Sequence, residues 1–281
     1  MKDLSEVTSI FRIDAPSADD LTAFHRDGYV VFPSVFSDEG LQGLIDEIMS
    51  REQVVEFFDK NKNELVDVHL RSCPWNNKGP WGHQLFDAPF VTALLRTIIG
   101  NTYHFCHSTL HVKMRGCEGA APHRDHLHWF NDNPVNLANR NKWYVQMLYY
   151  LNGFEKGDGS LSVVPGSHLC TPEERTVDEA ELLEGKYDEE AGCELKLKDL
   201  VLPRGSMVCL SGRTIHAAAP KLVDSPQEYR LNVHYLFKEA GAPHKLTQPI
   251  PDEWLVNASP VCKKLFQREP YTEGCWGEME R

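Results

Sequence analysis

The stretch APHRDHLHWF, residues 121–130, concentrates His123, Asp125, His126 and His128 within six positions, the densest set of metal-ligand side chains in the chain. A strand sends alternate side chains to opposite faces, so on extended backbone His123 and Asp125 share one face and His126 and His128 the other. Neither pair completes a metal site, so a further ligand must come from elsewhere. His216 is placed for it, because PRGSMVCLSGRTIHAAAP delivers this histidine just after an apolar strand and a glycine-containing turn. Two imidazoles and one carboxylate form the facial triad of non-haem Fe(II) oxygenases, which leaves three coordination positions open for a cosubstrate and O2. A structural zinc site would instead fill four positions, usually with cysteine among the donors. Arg230, downstream of His216, opens the strand RLNVHYLF. Its guanidinium fork matches a carboxylate in bidentate geometry, as a dicarboxylate chelated to iron at its other end would require.

Neighbouring positions supply candidate contacts. A turn after Asp125 would bring His128, Trp129 and Phe130 over the cavity as substrate contacts, and Gln146, in the apolar run KWYVQMLYYL, needs a buried partner that the cosubstrate or substrate would provide. Of Tyr149 and Tyr150, only one can face the interior. The Pro-, Gly- and Trp-rich segment 71–86 reads as a surface excursion whose Trp75 and Trp81, with His83, form a candidate substrate wall. His168 is expected to cap a turn, and His104, His107 and His111 to be ordinary core or surface residues.

The elements that must hold these residues divide into two regions. Residues 1–102 read as mostly helical support: a short helix over Asp20–Arg26 ending at Gly28, a strand in YVVFPSVF, a helix from Asp38 with Leu41, Leu44, Ile45 and Ile48 on one face, and a helix capped by Asp87 with Pro89 in its first turn. Residues 103–240 change to short strand-like runs separated by turns: YHFCHSTLHVKM, KWYVQMLYYL, GSLSVVPG, CELKLKDLVL, GSMVCLSG and YRLNVHYLF. That spacing predicts a closed or two-sheet β architecture such as a jelly roll, and 241–281 read as a C-terminal extension of one domain spanning 1–281. The acidic stretch 171–192 reads as a helix-prone surface segment.

Composition narrows the function. The chain has 281 residues, 41% hydrophobic and 10% aromatic, ample for a buried core, and a net charge of −12 that disfavours a nucleic-acid partner. The N-terminus lacks the apolar core of a signal peptide and no run approaches the ~20 apolar residues of a membrane span, so a soluble cytoplasmic protein is expected. The eight cysteines show no CxxC spacing and read as reduced thiols.

Several segments resemble the phytanoyl-CoA dioxygenase (PhyH) family of Fe(II)/2-oxoglutarate oxygenases. FHRDGYVVFPSVFSDE is similar to that family's F-x-x-D-G-Y-x-V opening, PHRDHLHWF to its H-x-D segment, DGSLSVVPGSH to its turn ending in P-G-S-H, and the segment from His216 to Arg230 to its distal histidine and arginine. STLHVKMRG resembles the strand that carries a lysine close to 2-oxoglutarate, which is Lys113 here. The resemblance implies a mainly β, cupin-like double-stranded β-helix with supporting N-terminal helices. It also implies iron held by His123, Asp125 and His216, and 2-oxoglutarate held by Arg230 and Lys113. The expected reaction takes O2, releases succinate and CO2 and oxidises a C–H bond. Many members have Gln where this chain has Arg124, and some have Gln or Asn where it has Ser108 and His111. Family halogenases replace the carboxylate ligand with a small residue, whereas Asp125 is intact, which favours oxygen chemistry. A CoA thioester calls for a basic rim that this acidic chain does not display, and Trp75, Trp81, Trp129 and Trp143 suggest a small hydrophobic or natural-product substrate. Two other readings use the same residues: a zinc hydrolase, indifferent to Arg230 and Lys113, and a non-catalytic binding protein, indifferent to Asp125.

Overall fold

The computed structural model describes residues 8–61, 67–72, 79–125, 144–170, 178–239 and 259–266. Five helices precede most of the strands: α1 (Ala18–Asp27), α2 (Asp38–Met49), α3 (Glu52–Asn61), α4 (Pro80–Asp87) and α5 (Pro89–Ile98), with β1 (Tyr29–Phe32) and β2 (His69–Ser72) among them. Then follow β3 (Tyr103–Met114), β4 (Ala120–His123), β5 (Tyr144–Tyr150), β6 (Leu161–Val163), short helices α6 (Glu179–Leu183) and α7 (Asp188–Ala191), β7 (Lys198–Asp199), β8 (Ser206–Ser211), β9 (His216–Ala218), β10 (Tyr229–Glu239) and α8 (Pro260–Phe266).

The strands form two antiparallel sheets, the six-stranded one ordered β1-β8-β5-β10-β3-β2 and the four-stranded one β4-β9-β6-β7. This is the jelly-roll arrangement with N-terminal helices that the strand spacing predicts. One face of the large sheet, with Leu110, Val112, Val145, Met147, Leu231, Val233, Tyr235 and Phe237, is sealed by Leu41, Leu44 and Ile48 of α2 and Phe90, Leu94 and Ile98 of α5. The other face meets the small sheet. Tyr29, Leu148, Val208 and Leu210 pack there against Leu161 and Val163 of β6, closing the sandwich on the β1–β8–β5 side.

Local sequence explains the boundaries. α1 starts at a capping box, with the Asp20 amide donating to Ser17 Oγ at 3.1 Å and the Ser17 amide to Asp20 Oδ2 at 2.8 Å. It ends at Gly28, whose φ of 81° is left-handed. A Cβ at Gly28 would lie 2.6 Å from His168 Nδ1, so glycine is required for the turn and for the close approach. Asp87 is not the cap of α5; Ala88 holds that position without a side-chain bond, and Pro89 begins the helix with a φ already set. The described ends of segment 71–86 are regular, against the surface excursion that its Pro and Gly content suggests. His69–Ser72 adds an edge strand to β3, and Pro80 occupies the first turn of α4, a position that tolerates proline, while Leu85 and Phe86 bury. CELKLKDLVL keeps only Lys198–Asp199 as strand. Residues 188–191 and 179–183 of the acidic segment are helical. Cys106, Cys117, Cys170, Cys193, Cys209 and Cys262 are free thiols. Among the described residues no helix is long and apolar enough to cross a membrane.

Candidate metal centre

His123 ends β4 and His216 begins β9, and the two are paired in register, so strand pairing alone sets their rings side by side with centroids 4.4 Å apart. Asp125, just past β4, completes the group: Oδ1 is 3.8 Å from His123 Nε2 and Oδ2 is 3.5 Å from His216 Nε2. One ligand atom from each of the three residues lies within 4.8 Å of the others, the sole such cluster of three or more His, Cys, Asp or Glu among the described residues.

Hydrogen bonds already prepare these donors. His123 Nδ1 lies 2.8 Å from the Ala121 carbonyl and His216 Nδ1 3.0 Å from the Thr214 carbonyl. A carbonyl only accepts, so both Nδ1 atoms carry the proton and both Nε2 lone pairs turn toward Asp125, the tautomer a metal requires. Gln146, on β5, donates Nε2 to Asp125 Oδ2 at 2.6 Å. Gln146 therefore meets the Asp125 carboxylate, a partner that sequence reasoning did not assign to it. Arg124 points away from the cluster; its Nη2 donates to the Ser167 carbonyl at 2.6 Å and to Cys170 Sγ at 3.2 Å.

The triad opens into a cavity of about 370 Å³ between the two sheets. Across it, Arg230 of β10 and Lys113 of β3 are register partners on the cavity face of the large sheet. Arg230 is buried, donates Nη1 to the Gly159 carbonyl, and holds Nε without a hydrogen-bond partner. Lys113 Nζ donates to the Glu118 carbonyl. Burial, then the charge of Arg230, lowers the Lys113 ammonium to about 8. An orphaned buried guanidinium N–H and a lysine destabilised by its cationic neighbour both suit an anionic ligand. Tyr150 faces this cavity, 5.8 Å from the Arg230 guanidinium carbon, while Tyr149 faces the helical core.

The cavity wall also holds residues that the sequence did not single out. His111 is not an ordinary core or surface residue: Nδ1 lies 3.0 Å from His69 Nε2, and its ring stands 4.8 Å from that of His234. All three line the cavity with Thr109 and Arg71. Burial leads the depression of each imidazole, His69 to about 4, His234 to about 3 and His111 well below its usual value, with Arg230 and Arg71 adding to it. They offer neutral hydrogen-bonding groups. Period-two alternation from Arg230 to His234 and from Lys113 to His111 was the available signal; His69 comes in through strand pairing that nothing in its own segment announces.

Trp81 is not a cavity residue. Its indole packs over Gly43 of α2, and its amide donates to Glu47 Oε1 at 2.8 Å. An aromatic beside Pro and Gly here anchors one helix to another. His83 is buried on α4 and likewise does not line the cavity. His168 does not cap its own turn; its Nε2 lies 3.1 Å from the His25 carbonyl in the last turn of α1. Trp75, His128, Trp129, Phe130 and Trp143 lie outside the described residues, as does His126.

Known structures share this architecture. EctD from S. alaskensis with 2-oxoglutarate and 5-hydroxyectoine matches over 95% of this chain and 91% of its own, at 17% identity and a TM-score of 0.62. HygX from Streptomyces hygroscopicus, with nickel and 2-oxoglutarate bound, matches over 85% and 94%, at 17% identity and 0.59. The epimerase SnoN, in complex with Fe3+, alpha ketoglutarate and nogalamycin RO, matches over 79% and 83%, at 17% identity and 0.57. No curated protein sequence matches the chain. The family model of phytanoyl-CoA dioxygenase (PhyH) matches residues 24–227, and with that span covering the metal cluster and most of both sheets, the chain belongs to this family.

Proposed function

We propose that the protein is an Fe(II)/2-oxoglutarate-dependent oxygenase, with His123, Asp125 and His216 as iron ligands and Arg230 and Lys113 as partners of the distal carboxylate of 2-oxoglutarate. The observation that carries this is the pairing of two Nε2-directed histidines and one carboxylate with a buried guanidinium, its Nε–H without a hydrogen-bond partner, across the same cavity. Structures of the same architecture hold 2-oxoglutarate with nickel or Fe3+, which supports the assignment. Bound iron and 2-oxoglutarate would supply the activation of O2 and the oxidation of a C–H bond, with succinate and CO2 released. The chain's part is geometric. Backbone carbonyls fix the imidazole tautomers, Gln146 turns Asp125, and the buried sheet face restricts water.

The described wall favours a polar substrate over the hydrophobic one suggested by the tryptophans. Beyond the ligand and cosubstrate residues it presents His69, Arg71, Thr109 and His111, so a small molecule bearing hydroxyl, amide or carboxylate groups would find partners there. Hydroxylation is the simplest outcome; desaturation, ring closure or rearrangement needs only a different pose.

The test is anaerobic titration of Fe(II) and 2-oxoglutarate into metal-free protein, following the visible charge-transfer absorbance of the chelated 2-oxo acid, with His216→Ala and Arg230→Ala alongside. Absorbance saturating near one iron per chain, lost in His216→Ala and weakened in Arg230→Ala, is expected. Tight zinc binding with no absorbance would overturn the oxygenase reading in favour of hydrolysis.

A further inference from the structure

Asp158 and Lys221 form an ion pair that is almost wholly buried, with side chains 6% and 1% exposed. Lys221 Nζ reaches both carboxylate oxygens, at 3.1 and 3.0 Å, the Leu222 amide donates to Oδ1 at 3.1 Å, and the Ser225 hydroxyl bonds both partners. Such a pair is a poor device for stability, because desolvating two charges offsets most of their attraction. Its surroundings point to another use.

Residue 159, next in the chain, is the glycine whose carbonyl accepts from Arg230 Nη1. Its amide donates to the Pro220 carbonyl at 2.8 Å, so the Asp158–Gly159 turn is tied on both sides to the segment that carries Lys221. Gly159 has a φ of +62°, and a Cβ there would sit 3.3 Å from Lys221 Cδ and 3.7 Å from Arg230 Cδ. The turn is thus a thin wedge with Lys221 on one side and Arg230 on the other, and only glycine fits it comfortably. The charges agree with the contacts. Arg230 is opposed by two other cations, Lys113 and Lys221, and Asp158 is the carboxylate whose field supports it.

We propose that the buried Asp158–Lys221–Ser225 cluster is the anchor of Arg230, setting the guanidinium where it meets the distal carboxylate of the cosubstrate. These three are positioning residues; none of them lines the cavity. The inference rests on the oxygenase reading above, in which Arg230 binds that carboxylate.

The experiment measures anaerobic binding of two 2-oxo acids to the Fe(II)-loaded protein by charge-transfer absorbance: 2-oxoglutarate, and pyruvate, which has the same chelating end and no distal carboxylate. Asp158→Asn and the paired change Asp158→Asn with Lys221→Met, which removes both charges, are expected to weaken 2-oxoglutarate about tenfold, the worth of a displaced charge-assisted contact, and to leave pyruvate and Fe(II) affinity unchanged. Ser225→Ala, which keeps both charges, is read in the same way if the others fail to fold, with about a threefold loss for 2-oxoglutarate alone. Unchanged 2-oxoglutarate affinity, or an equal loss for both ligands, would overturn the anchor. No absorbance with either ligand in the unsubstituted protein would overturn the oxygenase reading instead, so the two failures are distinct.

Discussion

The two faces of the six-stranded sheet are made by alternate residues of the same strands, yet they have opposite chemistry. Along β10, Leu231, Val233, Tyr235 and Phe237 point into the helical core, whereas Arg230 and His234 face the cavity. Along β3, Leu110 and Val112 take the core side, and Thr109, His111 and Lys113 the cavity side. One backbone register therefore fixes both sets at once, since a slip of one residue would exchange them. The apolar face supplies the cohesion that holds polar side chains in place on the other, where Arg230 Nε is buried without a hydrogen-bond partner. A rigid sheet also keeps Arg230, Lys113 and Gln146 at set distances from a triad carried by the other sheet, as a binding site needs.

The comparison implies that function and stability can be removed separately. Asp125→Ala should abolish iron-dependent turnover and weaken Fe(II) binding more than 100-fold, a larger loss than substitutions around a metal ligand cause. It should leave the thermal transition of the metal-free protein nearly unchanged. A large drop in that transition would show that the cavity face also carries the fold. Phe237→Ala tests the opposite face: it removes a fully buried ring that packs against Phe105 and Tyr103, and should cost about 3–5 kcal/mol in chemical denaturation. At temperatures where that variant is folded, its Fe(II) and 2-oxoglutarate affinities should match those of the unsubstituted chain. Loss of binding in the folded variant would break the separation.

Much of this was legible in the sequence for a physical reason. His123, Asp125 and His216 are ligand-type residues whose local spacing already implies their direction, and β5 and β8 are mostly apolar runs while β3 and β10 alternate apolar with polar residues, all bounded by turns. What stayed hidden depends on pairing between distant segments. His69 meets His111 only because β2 docks on β3, and Asp158 meets Lys221 while Gly159 meets Arg230 only because two loops converge at the start of β10. Trp81 misled because an aromatic in a Pro- and Gly-rich segment signals burial without saying against what. It packs on α2, where Gly43 leaves room for the indole.

Lys113 gives the smallest effect and the sharpest test of the cavity face. The residue is 5% exposed, and its ammonium is lowered to about 8 by burial and by Arg230, with Cys117 acting in the opposite sense and His69 as its register partner on β2. A dianionic ligand favours the protonated form. Affinity for 2-oxoglutarate should therefore be level below pH 8 and fall as the pH rises through that value, by up to about tenfold per unit, a dependence absent from Lys113→Met. Stability of the free protein should move the other way. The folded-state value lies below the ordinary 10.5, so between about pH 8 and 10.5 the unfolded chain holds a proton that the folded one has released. Stability then rises with pH by at most ~1.4 kcal/mol per unit relative to Lys113→Met. Denaturation of the two proteins across this window, beside 2-oxoglutarate titrations, reads both slopes. Opposite signs are expected from a buried lysine awaiting an anion. Parallel slopes would mean that Lys113 is already paired within the protein and takes no part in holding the ligand.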